Sequence, residues 1–132
     1  MSIERRNFLL ATGAAVLATA CTPRQVLTKG ESRMYGLIGK MTAAEGQRDA
    51  LIAILLEGVS EMPGCLSYVV AKDPADANAI WITEVWDTQA SHKASLSLAS
   101  VQQAIALARP LIAGFDNGTV TEPVGGHGLV RL

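Results

Sequence analysis

Residues 79–87 (AIWITEVWD) read as a β-strand that carries an acidic side chain and an indole on one face. Because successive side chains of a strand point to opposite sides, Glu84 and Trp86 share this face with Ile80 and Ile82. A carboxylate in apolar surroundings can accept a proton from a phenol, and an indole can stack on an aromatic ring. We therefore expect chemistry on this face. The alternative for Glu84 is a structural carboxylate paired with Lys, Arg or a backbone group.

The other face of the same strand carries Trp81 and Val85, so both of its faces are largely apolar. Such a strand needs a cover on each side, and a chain of 132 residues supplies helices for only one layer. We expect a second copy of the chain to form the other cover. The pattern therefore predicts a homodimer.

The elements around this strand follow from hydrophobic periodicity. Alternation predicts further strands over residues 34–41 and 65–72 and one between residues 115 and 123, whereas helical spacing predicts an amphipathic helix over residues 47–61 and a broken helix over residues 88–109. Asp87 or Thr88 would cap the broken helix. This order is the split βαβ arrangement of a ferredoxin-like antiparallel sheet in the α+β class. Two such sheets packed face to face give a dimeric α+β barrel.

Composition excludes several classes of protein. With 49% hydrophobic and 17% charged residues, the chain allows one globular domain. Its net charge is −1 and its eleven Lys and Arg are scattered, so we expect no nucleic-acid partner. Two Cys and two His do not form a zinc motif, and no glycine-rich nucleotide fingerprint is present. We therefore expect neither a metal nor a cofactor.

Residues 1–20 are typical of a cleaved export signal. Arg5 and Arg6 precede a thirteen-residue uncharged apolar run, which is too short for a bilayer span of about 17–25 residues. The arginine pair followed by Phe8 and Leu9 resembles twin-arginine signals, which export folded proteins. A chance arginine pair before an ordinary secretory signal is the alternative. Either way, we expect an exported protein of a bacterium, in the periplasm or anchored to the membrane.

Cys21 directly follows the expected cleavage site, and the run ATAC at residues 18–21 resembles a bacterial lipoprotein box. Lipidation of Cys21 would anchor the protein to a membrane, whereas an ordinary peptidase cutting at the same bond would release it. Both forms stay open. Residues 21–32 read as a flexible tether and residues 33–132 as the folded domain. We expect no disulfide between Cys21 and Cys65.

Three stretches carry a family resemblance: YGLIGK from residue 35, MPGCLSYVVAKDP from residue 62 and WITEVWDTQASHKAS from residue 81. Together they resemble the antibiotic biosynthesis monooxygenase family, in particular its quinol monooxygenase branch, over residues 33–132. The resemblance implies a dimeric ferredoxin-like barrel with a pocket between the sheet and its helices. Several members oxidise hydroquinones or polycyclic aromatics with O2 and no metal, haem or flavin. Many other members have no established activity.

By position in the motif, the resemblance assigns site roles to Trp86 and His92, with Glu84 beside them. His92 follows the strand end by about one helical turn, which suits a proton acceptor. A capping or solvent-facing histidine is the alternative. Haem-degrading relatives use an Asn, a Trp and a helical His further along the chain. Residues 102–109 contain no His or Trp, so the resemblance does not extend to haem cleavage.

Two residues of the neighbouring strand, Tyr68 and Ser67, are weaker candidates for substrate binding. His127 lies among glycines in the tail. It would close over the pocket or contact the partner subunit, and we do not expect direct catalysis from it.

The residues and the resemblance together predict a cofactor-independent monooxygenase that oxidises a quinol or phenolic aromatic with O2. Without a metal cluster or nucleotide fingerprint, the substrate itself must supply the electron, and a phenolate does so more readily than a phenol. His92 or Glu84 would take the proton, and Trp86 would hold the ring. The alternative is a non-catalytic exported protein that binds a quinone or another small hydrophobic ligand.

Overall fold

The computed structural model describes residues 33–130. Its elements, in chain order, are β1 (Tyr35–Ala43), α1 (Arg48–Gly58), β2 (Cys65–Lys72), β3 (Ala79–Trp86), α2 (Gln89–Ser95), α3 (Ala99–Ala108), a 3₁₀ turn (Arg109–Leu111), β4 (Ile112–Phe115) and β5 (Thr119–Thr121). None of the helices described over this range is long and apolar enough to cross a membrane. The predicted export signal, twin-arginine pair, lipidated Cys21 and tether lie outside the described residues.

The strands form one antiparallel sheet in the order β2-β3-β1-β4, with β5 also paired to β1. The three helices and this sheet confirm the predicted ferredoxin-like α+β fold. In the register, Glu84 of β3 lies between Leu37 of β1 and Tyr68 of β2. Strand β3 is therefore flanked on both sides, and Glu84 lies in the interior of the sheet.

The end of the chain differs from the single strand predicted between residues 115 and 123. Two short strands are present instead, and each pairs with a different half of β1. The strand β4 pairs with Met41–Ala43, and β5 pairs with Gly36–Ile38. The prediction missed β4 because that strand begins directly after the 3₁₀ turn that contains Pro110, without a separating loop.

The broken helix is confirmed, with small shifts in its bounds. Thr88 rather than Asp87 caps α2, since its Oγ1 accepts a hydrogen bond from the backbone N–H of Ser91 at 3.1 Å. The second piece, α3, begins at Ala99, after a non-helical Leu98. The hydroxyl of Ser95 donates to the carbonyl oxygen of His92 at 2.6 Å. These contacts fix the short helix that carries His92.

The core lies between the helices and one face of the sheet. Leu51 of α1 and Ile80 of β3 are fully buried, and they pack in one cluster with Ile82 and Ala108. Burial of such side chains contributes roughly 1.5–3 kcal/mol each. The face of β3 that carries Glu84 is therefore the helix-covered face.

The opposite face of the sheet is uncovered within one chain. Here Ile38, Val69 and Trp81 are 40%, 52% and 41% exposed. Ile38 and Val69 both lie opposite Thr83 in the register, so they share this face. We call it the outer sheet face.

A polar cluster orients Trp81 on the outer sheet face. The carboxylate of Asp73 accepts hydrogen bonds from the backbone N–H of Ala75 at 2.8 Å and from the indole N–H of Trp81 at 3.1 Å. It also pairs with the Lys40 ammonium at 3.0 Å. The Ala75 hydrogen bond, followed by the Lys40 contact, lowers the pKa of Asp73. The anionic carboxylate therefore ties the 73–78 turn to β1 and β3.

Gly64 brings the start of β2 against α2. Its φ is +83°, a conformation that favours glycine, and a Cβ there would lie 2.5 Å from the Cβ of Ser91. The carbonyl oxygen of Gly64 accepts a hydrogen bond from the backbone N–H of Asp87 at 2.9 Å. This turn thus sets the position of α2 relative to β3.

Candidate active site

A cavity of about 620 Å³ lies between the helices and the sheet. Apolar side chains of α1 and α3 form one wall, among them Leu55, Val101 and Ile105, together with Val59 at the end of α1. The sheet side presents Ile82, Glu84, Trp86 and Tyr68, and α2 presents His92. The volume falls within the roughly 300–1,000 Å³ typical of small-molecule sites. A mostly apolar cavity with a few convergent polar groups is what such a site requires.

Glu84, Trp86 and His92 come together in the cavity wall. The indole N–H of Trp86 donates a hydrogen bond to Glu84 Oε2 at 2.8 Å. The same oxygen lies 3.8 Å from His92 Nε2, and the two side chains are only 16% and 20% exposed. The rings of His92 and Trp86 meet edge to face, with 5.4 Å between their centroids. Three residues that the sequence singled out therefore form one cluster.

The surroundings of Glu84 differ from those of a carboxylate paired with Lys or Arg. Among the residues that the structure describes, Glu84 Oε2 lies 3.8 Å from His92 Nε2, and Glu84 forms no salt bridge with a Lys or Arg. An indole N–H steadies one carboxylate oxygen without neutralising the charge, so Glu84 can still accept a proton. Over residues 33–130, no three His, Cys, Asp or Glu side chains group as metal ligands.

Tyr68 lies directly opposite Glu84 on β2 and lines the cavity. Burial, the nearby Glu84 carboxylate and Cys65 together raise the pKa of the Tyr68 phenol. Its hydroxyl is therefore neutral in the folded protein and can donate a hydrogen bond to an oxygen of a bound molecule. This position suits the predicted role of Tyr68 in substrate binding.

The raised pKa of Tyr68 gives a titration that can be followed directly. In a Tyr35→Phe variant Tyr68 is the remaining tyrosine, and we expect its ultraviolet absorbance to show no tyrosinate at the usual pKa of about 10. Ionisation should appear only at higher pH, together with unfolding. Because the unfolded phenol ionises first, the free energy of unfolding should fall as the pH rises above about 10. A normal titration in the folded variant would contradict the buried position.

Ser67 and His127 do not line the cavity. Ser67 lies opposite Val85, on the outer sheet face, because neighbouring residues of a strand point to opposite sides. His127 is exposed in the segment after β5. The structure therefore places Tyr68, and not Ser67, beside Glu84.

The sequence analysis missed Tyr35 as a neighbour of the site. Its ring centroid lies 5.2 Å from that of His92, and Tyr35 is opposite Trp86 in the register. The imidazole is thus held between Tyr35 and Trp86. The predicted split βαβ arrangement already places β1 next to β3, but the register that sets Tyr35 opposite Trp86 cannot be derived from the sequence.

Fold and site together define the class of protein: a ferredoxin-like α+β domain with an apolar cavity and a Glu–His pair in its wall. The sequence model of the antibiotic biosynthesis monooxygenase family matches residues 34–107. The chain belongs to this family, which confirms the resemblance carried by the three stretches.

A solved structure from Chloroflexus aurantiacus J-10-fl that carries the family name is 73% identical, with a TM-score of 0.72, and the match covers 74% of this chain and 99% of that chain. A Nitrosomonas europaea structure with the family name is 14% identical, with a TM-score of 0.65 and coverage of 70% and 92%. A third, from Caulobacter crescentus CB15, is 15% identical, with a TM-score of 0.61 and coverage of 74% and 94%. The last two show the fold alone. No curated protein matches the chain.

Proposed function

We propose that the protein is a cofactor-independent monooxygenase that oxidises a quinol or another electron-rich phenol with O2. Family membership supports monooxygenase-type chemistry. One observation carries the finer proposal: Glu84 and His92 meet at 3.8 Å in the wall of an apolar cavity. Either side chain can accept the proton of a phenol there, with little water to compete.

The reaction begins with loss of a proton from a substrate hydroxyl to Glu84 or His92. The phenolate then gives electrons to O2, a ring C–H bond is replaced by a C–O bond, and the second oxygen atom leaves as water. Overall, one hydroquinone and one O2 give one hydroxyquinone and one water. All electrons that reduce O2 come from the hydroquinone. The protein has to remove one proton, orient the anion and exclude water.

Trp86 has a narrower role in this scheme than stacking on the substrate. Its side chain is only 1% exposed, and its indole N–H is already bonded to Glu84. The geometry supports a residue that fixes the carboxylate in the cavity wall. Stacking of Trp86 on the substrate ring stays a prediction.

Oxygen uptake with hydroquinone tests the proposal, and buffer without protein is the necessary control because quinols also oxidise unaided. We expect faster uptake with the protein and no effect of a metal chelator. Uptake that a chelator abolishes and iron restores would contradict the cofactor-independent mechanism. Tight binding of hydroquinone without faster uptake would favour the alternative, a binding protein for a quinone or hydrophobic ligand, which the largely apolar cavity also suits.

We propose further that the protein acts as a homodimer joined through the outer sheet face. A Val69→Lys substitution places a charge on that face and should shift the mass in solution from dimer to monomer. Leu56→Lys is the matched control, since Leu56 is equally exposed at 52% but lies on α1. Light scattering at micromolar concentration measures the mass. A folded wild-type monomer at that concentration would contradict the proposal.

Export is also part of the proposal, with the mature protein periplasmic or anchored through Cys21. Changing both Arg5 and Arg6 to lysine should trap the precursor in the cytoplasm, because the twin-arginine receptor reads the guanidinium pair. Normal export of the double variant would point to the general secretory route. Palmitate labelling should be lost on Cys21→Ser if Cys21 is lipidated, and labelling that survives this change would contradict the lipoprotein form.

A further inference from the structure

A second cavity of about 200 Å³ adjoins the larger one and has no part in the proposed reaction. We call it the side cavity. The two share Met41, Ile82, Glu84 and Phe115 as wall residues. The Glu84 carboxylate therefore borders both spaces. A molecule held at Glu84 can extend into the side cavity without leaving the larger one.

Gly39 contributes to the space of the side cavity. On the helix-covered side of β1, Gly39 lies between Leu37 and Met41, opposite Ile82. A Cβ at Gly39 would meet no heavy atom within 4 Å, and its φ lies outside the left-handed region, so the backbone does not require glycine. The missing side chain leaves open space next to Ile82 and Glu84.

The edge of the sheet is also interrupted at this point. The strand β5 pairs with β1 only up to Ile38, and β4 pairs with it from Met41 onward. Between them, the backbone N–H of Asp116 donates to the carbonyl oxygen of Lys40 at 3.0 Å. Glycine and the interrupted edge together leave room for an apolar group.

The size of the side cavity limits what it can hold. An apolar cavity of about 150 Å³ is enough to bind benzene, so about 200 Å³ admits one ring or a branched alkyl group. A hydroquinone whose hydroxyl reaches Glu84 would direct a substituent on the adjacent ring carbon toward Gly39. We propose that the side cavity is a specificity subsite for such an ortho apolar substituent and that Gly39 is the specificity-determining residue. The choice of a hydroquinone as ligand rests on the proposed function.

Binding without oxygen tests this subsite separately from turnover. The probes are hydroquinone and 2-phenylhydroquinone under anaerobic conditions, with tryptophan fluorescence as readout. Burial of one CH2-sized group is worth about fourfold in affinity. If the side cavity buries the equivalent of two or three such groups of the phenyl ring, the wild-type protein should prefer the phenyl compound by about 10- to 100-fold. Gly39→Leu should bring the ratio of the two dissociation constants close to one, and Gly39→Ala should give an intermediate ratio.

Gly114→Leu is the matched control. Gly114 is also a strand glycine with no heavy atom within 4 Å of an added Cβ, and it lines the larger cavity but not the side cavity. This variant should keep the ratio of the two dissociation constants, because Gly114 pairs with Thr42, whose side chain lies on the face of the sheet opposite to that of Gly39. Equal binding of the two probes to the wild-type protein, or a ratio unchanged in Gly39→Leu, would overturn the subsite. If the ratio of the two dissociation constants falls to about one in Gly39→Leu but the wild type shows no turnover, the subsite is supported and the monooxygenase proposal is contradicted.

Discussion

Replacement of Glu84 by glutamine should lower turnover by about 10²- to 10⁴-fold and leave substrate binding nearly intact. Glutamine keeps the shape of the side chain, and its amide oxygen can still accept the hydrogen bond that Trp86 donates at 2.8 Å. The change therefore removes a proton acceptor without opening a gap in the cavity wall. Steady-state rates of oxygen uptake over a range of hydroquinone concentrations separate kcat from KM.

Two further variants identify which side chain takes the proton. His92→Ala should cause a loss of the same order if the imidazole is the acceptor, and the double variant should lose little beyond the worse single variant if the residues act as a unit. Glu45→Gln is the control, because Glu45 is exposed in the connection between β1 and α1. Full activity of the His92→Ala, Glu84→Gln double variant would contradict the residue assignment.

Replacement of Trp86 by alanine should destabilise the fold by about 3–5 kcal/mol, the usual cost of removing a large buried aromatic side chain. Trp86 is 1% exposed and is among the largest fully buried side chains of the described residues. Urea unfolding gives the loss in free energy from the change in midpoint. A weaker affinity of Trp86→Ala for substrate could therefore result either from partial unfolding or from loss of a contact between Trp86 and the substrate.

Trp86→Phe separates the two effects, since phenylalanine fills most of the space but cannot donate to Glu84. We expect Trp86→Phe to unfold at a urea concentration closer to that of the wild type. It should still lose activity, because residue 86 no longer donates the hydrogen bond that holds the Glu84 carboxylate in place. Phe115→Ala is the control for stability, because Phe115 is aromatic but 67% exposed. If Trp86→Ala and Phe115→Ala unfolded at the same urea concentration, the structural role of Trp86 would be contradicted.

Strong local signals explain the elements that the sequence predicts well. The strand over residues 65–72 has the predicted bounds, because a turn at Pro63 and Gly64 precedes it and another turn follows at residue 73. The helix predicted over residues 47–61 is shorter and ends at Gly58, before Pro63. The strand from Ala79 ends one residue earlier than predicted, at Trp86. Period-2 alternation was enough to place Glu84 and Trp86 on one face, whereas the hydrogen bond between them depends on their side-chain rotamers and was not predicted.

Features that depend on register were beyond the sequence. At Gly39 the structure leaves open space, and the register of β1 against β4 is irregular between Thr42 and Ala43. Gly36 is the glycine in close approach, because an added Cβ would collide with Thr121. The contact between Tyr35 and His92 likewise requires knowing the register that sets Tyr35 opposite Trp86. The side cavity could not be predicted either, because it depends on which side chains lie around Gly39 in the register.

Incorporation of oxygen-18 from labelled O2 into the product of hydroquinone oxidation tests the central claim most directly. The proposed monooxygenase reaction predicts a hydroxyquinone that carries one labelled oxygen atom, formed faster with the wild-type protein than in buffer and slowed by Glu84→Gln. Mass spectrometry of the rapidly quenched product measures the label. An unlabelled quinone formed with hydrogen peroxide, or labelled product formed no faster than in buffer, would contradict it.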